Sequence, residues 1–147
     1  MGNSWGTQLS QPLAGTYVPA SDTSCPAGTA TTVVTTGAIT TQFAGTFAPK
    51  LYGVLVILLG STAPSALTVK FILGSGSAVD TYTVEPGLLV NSAELVVPIF
   101  LVGTSSDSAF AGAGSTINVQ VTATGQAVTC KKVGSRILVQ LSRGPDA

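Results

Sequence analysis

The chain predicts an all-β fold, an antiparallel β-sandwich of about eight strands behind an extended N-terminal arm. Three observations predict it. From Thr31 onward, β-branched and aromatic residues recur in short runs, and these are the residues that fit a pleated, half-buried surface. Clusters of Gly, Pro and Ser separate the runs, as turns do in sandwiches and barrels. No window holds the i, i+3, i+4, i+7 apolar spacing of an amphipathic helix over a useful length. No internal repeat stands at a solenoid or propeller period.

The elements follow in order. Residues 1–30 have Gly and Pro at short intervals, isolated large residues (Trp5, Leu9, Leu13, Tyr17, Val18) and no period. They form the expected arm, and residues 31–147 the sandwich. Trp5, Leu9, Leu13 and Tyr17 are the anchors by which the arm would dock, because aromatic and aliphatic side chains gain from leaving water. A loose terminus is the competing reading. The first strand signals are TTVVTT, from Thr31, and AITTQF, from Ala38.

KLYGVLVILLG, residues 50–60, comes next. It is far shorter than the roughly 20 apolar residues of a membrane-spanning helix. Gly53 and the β-branched Val54, Val56 and Ile57 favour a strand over a core helix. That strand is apolar on both faces, with Val56 and Leu58 on one and Leu55 and Ile57 on the other. ALTVKFIL sets Leu67, Val69, Phe71 and Leu73 against Thr68 and Lys70, and DTYTV groups Tyr82 with Val84. ELVVPIFLV is again apolar on both faces, and its Pro98 places it at a sheet edge or a bulge. TINVQVTA turns Ile117, Val119, Val121 and Ala123 inward, and AVTCKKV and RILVQL close the pattern as two segments. A lone antiparallel sandwich should alternate hydrophobic-in and polar-out. The two doubly apolar strands therefore imply a second covering for their outer faces, either another copy or a partner, unless the chain's own loops supply it.

Composition points the same way. Charged residues are 8% of the chain and the formal net charge is zero, against about 25% charged in an ordinary soluble domain. A neutral surface favours association. Apolar residues at 45% exclude a disordered chain. The opening MGNSWGTQLSQPLAG has neither the basic start nor the apolar core of a secretory leader. No Asn begins a glycosylation acceptor.

Catalytic chemistry has little to work with. The absence of His removes the usual general base, the Ser-His and Cys-His nucleophile pairs and the commonest metal ligand. The six acids, Asp22, Asp80, Glu85, Glu94, Asp107 and Asp146, are scattered, without the facing pair of a glycosidase or a calcium-loop spacing. GSGS and GAGST lack the Lys and helix of a phosphate loop and read as turns. The chain is thus expected to be no enzyme and to need no cofactor or metal.

Residues 131–147 carry four cations and one acid, a net +3. Lys131 and Lys132 would meet an acidic partner or a phosphate backbone, or merely solvate an edge strand. No aromatics interleave with them to stack bases, so no specific nucleic-acid partner is expected, and no membrane partner. Cys25 and Cys130 would close a long loop if bonded; reduced thiols are the alternative.

An irregular arm, a Thr- and Val-rich sandwich, very low charge and no catalytic set resemble viral jelly-roll capsid proteins. Within that kind, the chain looks most like the capsid decoration (cement) and minor capsid proteins of tailed bacteriophages. The resemblance covers residues 31–142 as the sandwich and 1–30 as the arm, on architecture and composition without a diagnostic motif. It implies a homotrimer or similar symmetric cluster on the outer capsid surface of a virion assembled in the host cytoplasm. The major capsid protein would be its partner. On these criteria the assembly candidates are Trp5, Leu9, Leu13, Tyr17, Val56, Leu58, Lys131 and Lys132. A tail or fibre subunit, or a carbohydrate-binding or adhesive module, would share the same features, although aromatics at 6% are few for a sugar platform.

Overall fold

The computed structural model describes residues 13–36, 47–73, 78–102 and 116–143. Nine strands run through them: β1 (Leu13–Tyr17), β2 (Thr23–Cys25), β3 (Thr31–Thr35), β4 (Phe47–Leu59), β5 (Ala66–Leu73), β6 (Ala78–Thr83), β7 (Glu94–Val102), β8 (Ile117–Thr124) and β9 (Val128–Arg143). The one helical element among the described residues is a 3₁₀ turn, Pro86–Leu88, where Pro86 presets the backbone at its start.

Two antiparallel sheets stack face to face. Sheet I has the order β1-β9-β4-β7, with β2 also paired to β9; sheet II has the order β3-β8-β5-β6. From β3 onward the chain changes sheets at every connection except the β5–β6 hairpin, so each layer is closed by strands distant in sequence. The core is the inner face of both layers. Leu51, Leu55, Ile57 and Leu59 of β4, with Val97, Ile99 and Leu101 of β7, meet Leu67, Val69 and Phe71 of β5 and Ile117, Val119 and Val121 of β8, all buried. The alternation predicted for ALTVKFIL is present through Phe71 and that of TINVQVTA throughout, and Val84 is buried with Tyr82 packed against the same core.

Three expectations differ from the structure, and AITTQF lies outside the described residues. The arm was expected to hold no strand before Thr31, yet β1 and β2 pair with β9, in the registers Leu13↔Leu141 to Tyr17↔Ile137 and Thr23↔Cys130 to Cys25↔Val128. Five- and three-residue strands are too short to show a period, and their stability comes from the long partner already present. AVTCKKV and RILVQL are one strand, because both halves of β9 pair with β4. Consequently β9 lies inside sheet I and Lys131 and Lys132 do not sit on an edge strand.

Among the described residues β7 terminates sheet I, so Pro98 is on an edge strand, as predicted. The Leu59 amide donates to the Ala93 carbonyl at 2.8 Å, one step beyond the pair Leu58↔Glu94. Bonded and non-bonded pairs alternate along an antiparallel ladder. Glu94, Val96, Pro98 and Phe100 therefore direct their main-chain polar groups away from β4, and the missing N–H of Pro98 is missing from the open edge.

Candidate assembly surface

The outer faces of the two sheets differ in chemistry. On sheet II, cross-strand partners include Thr68 with Thr122 and Thr83, and Lys70 with Gln120 and Thr81, the polar exterior expected of an antiparallel sandwich. On sheet I, β4 and β7 lie side by side, so the two doubly apolar strands form one surface. Reading across β9, β4 and β7, its rows are Leu138–Tyr52–Phe100, Arg136–Val54–Pro98, Lys131–Val56–Val96 and Thr129–Leu58–Glu94. Val96 is 65% exposed, Phe100 60% and Leu58 40%. Tyr52 and Phe100 tilt together with ring centroids 5.1 Å apart, a spacing at which aromatic pairs attract.

Val56 is the exception on this face, 8% exposed although it points outward. Its cover comes from an excursion in β9. Val54 pairs with Arg136 but Val56 with Lys131, so residues 132–135 stand against Leu55 alone. Gly134 has φ +88°, and its backbone lies so close over Val56 that an added Cβ would meet Val56 Cγ2 at 3.0 Å. Glycine suits both the backbone angle and the approach. Ser135 turns back into the sheet, buried, and its Oγ accepts the Val56 N–H at 2.8 Å, replacing the ladder bond that the excursion removes. Val133, at the crest, is 83% exposed. Where β9 rejoins the ladder, Gly53 has φ +152° and no room for a Cβ against the Arg136 carbonyl. Glycine meets both the angle and the close approach there.

Asp22, in the β1–β2 turn, clamps the start of the excursion. Its Oδ2 pairs with Lys131 Nζ at 2.8 Å and its Oδ1 accepts the Lys132 N–H at 2.8 Å. The bond from Lys131, then that from the Lys132 backbone, holds its carboxyl below the usual carboxylate range. The bond to Asp22 correspondingly raises Lys131, with Glu94 adding a smaller push.

The candidates from the sequence fall into separate places. Leu58 is on the exposed apolar face, Val56 is under the excursion, Lys131 is in the ion pair and Lys132 is exposed beside Val133. Leu13 lies in β1, Tyr17 packs half-buried against the core, and Trp5 and Leu9 are outside the described residues. Cys25 and Cys130 are free buried thiols, not a disulfide. The register sets them diagonally, two steps out of alignment, whereas a disulfide needs Cβ atoms about 3.5–4.5 Å apart. Burial pushes Cys130 up to about 11 and raises Cys25 as well. Sequence reasoning singled out neither Val133 nor Asp22. Gly134 inside a strand was the available signal, since such a glycine often marks a bulge. Among the described residues no three metal-ligating side chains gather.

No protein-family model matches the chain, and no curated protein matches it by sequence. Solved structures do match. A chain from the structure of infectious bursal disease virus, Gx strain, is 16% identical with a TM-score of 0.56, over 92% of this chain and 33% of its own. The VP2 subviral particle of the same virus gives 17%, 0.55, 90% and 33%. The chain thus spans about a third of the length of these viral chains. Eiger TNF from S. frugiperda gives 11% and 0.55, over 93% of this chain and 96% of its own. At such identities the likeness shows the fold alone, a two-layer jelly-roll-like sandwich.

Proposed function

We propose that the chain is a structural subunit of a virus particle, a capsid decoration (cement) or minor capsid protein of the tailed-bacteriophage kind. It acts as a homotrimer or similar symmetric cluster on the outer capsid, with the major capsid protein as partner. One observation carries the reading: sheet I exposes large apolar side chains on its outer face, Val96, Phe100 and Leu58 among them, while sheet II is polar outside. A neutral chain with 8% charged residues has little else to keep that face from a neighbour. Contiguous exposed apolar surface marks interaction sites. The fold shared with chains of a virus structure and of a VP2 subviral particle supports the kind of assembly. Stabilisation of the shell is then a matter of burying apolar area between subunits, with no chemistry required of any residue. The experiment is mass spectrometry of purified virions together with binding of the pure protein to capsids lacking it. Stoichiometric presence and saturable binding are expected; absence from particles and no binding would overturn the reading.

A further inference from the structure

We propose that copies of this chain join through one specific contact, in which the Val133 crest of one copy seats on the Val96–Pro98–Phe100 patch of another. This deepens the assembly reading above and rests on it. Both halves stand on the outer face of sheet I, at one level. The excursion lies beside Val54 and Val56, and these residues pair on their other side with Pro98 and Val96. With β4 between them, crest and patch are separated by two strand spacings, about 10 Å. A second copy turned over this face about an axis parallel to β4 brings each crest onto the other's patch. The contact is isologous and closes on itself as a twofold pair.

The occupant is a second copy because the two halves match in polarity and complement each other in charge. The crest is a single β-branched side chain, 83% exposed, on a support fixed at both ends by Asp22 and by Ser135. Little conformational freedom is left to lose on docking. The patch is apolar and broad, and Pro98 gives it a rigid centre. Exposed Lys132 and Arg136 flank the crest, while exposed Glu94 borders the patch next to Val96. Lys131 is already held by Asp22, which leaves Lys132 to face Glu94 of a neighbour.

A charge-swap mixing experiment tests the contact. Val133→Asp sets an acid against Glu94 of the neighbour, and Val96→Lys sets a cation against Lys132 and Arg136. Each variant alone should self-associate about 10- to 100-fold more weakly than the parent in sedimentation velocity, with melting temperatures unchanged because both positions are exposed. Mixed, the two should recover hetero-complexes, because every crest then finds a compatible patch. Val133→Ser, a milder change, should weaken association in the same direction. Parent-like association of any of the three alone overturns the contact. So does a monomeric parent at micromolar concentration, or a mixture that stays apart. Virion mass spectrometry separates the two readings. The chain found in particles while Val133→Asp associates normally sinks the contact alone; an intact mixing pattern with no chain in particles sinks the virus reading alone.

Discussion

Placing a lysine on one face of β4 or on the other should have opposite consequences. Leu55 is fully buried and Leu58 is 40% exposed. Leu55→Lys removes a core leucine, which in truncation series costs about 2–5 kcal/mol. It also buries an ammonium, whose penalty is several kcal/mol more even after relaxation. The sum, above about 5 kcal/mol, matches the whole stability of a typical domain, about 5–15 kcal/mol, so Leu55→Lys should be unfolded or recovered as aggregate. Leu58→Lys loses only the covered part of one leucine, and its aliphatic stem can lie on the same surface with the amine in water. About 1 kcal/mol or less is the expected cost. What Leu58→Lys should lose is association. Thermal melting beside light scattering coupled to size exclusion reads both effects. If Leu55→Lys folds as well as Leu58→Lys, or if Leu58→Lys leaves the oligomer intact, the two-sided account of β4 is wrong.

The other expectations follow from single contacts. Ser135→Ala should destabilise the fold by about 1–3 kcal/mol in urea denaturation, because the Val56 N–H is left buried without an acceptor; an effect under about 0.5 kcal/mol would refute that. Asp22 is depressed when folded, so its contribution is present above the unfolded value of about 3.9 and fades as pH falls through the lower folded one. Asp22→Asn should flatten the acid limb of the melting temperature between about pH 5 and 2; an unchanged limb would count against the clamp. Cys130, raised to about 11, favours the folded state fully below the unfolded thiol value of about 8.5, and that support drains as pH rises toward 11. Cys130→Ala should lose the alkaline decline attributable to it. Deleting residues 1–12 should leave melting unchanged and weaken capsid binding. Deleting 1–20 should also lower the melting temperature, since β1 pairs with β9.

How much was legible follows from which signals are local. The sandwich, the inward faces of β5 and β8 and the doubly apolar character of 51–59 and 95–102 are period-two facts that one strand carries by itself. That β4 and β7 are neighbours is not a local fact, and without it two apolar strands do not make a surface. The same limit hid β1 and β2, whose short runs gain their order from β9. It hid the crest too. Gly134 stands between AVTCKKV and RILVQL, which read as two segments, where the chain instead leaves and rejoins one ladder. Asp22 and Ser135, which make that detour stable, are more than 70 residues from the groups they hold in every case.

The edge of sheet I explains why association should proceed through faces. An exposed edge strand offers a row of unpaired N–H and C=O groups and invites another strand to continue the sheet. On β7 those groups belong to Glu94, Val96, Pro98 and Phe100, and Pro98, in the middle, has no N–H to give. A strand added there would lose a bond at its centre. Yet the side chains of these same four residues all stand on the outer face, three of them apolar. Strand addition would leave that apolar surface in water; packing another copy over it would not. Edge pairing reads only backbone and is indifferent to partner, whereas a face presents Val133, Phe100, Lys132 and Glu94 in fixed relative positions. The same proline that closes the indiscriminate route thus contributes its ring to the selective one.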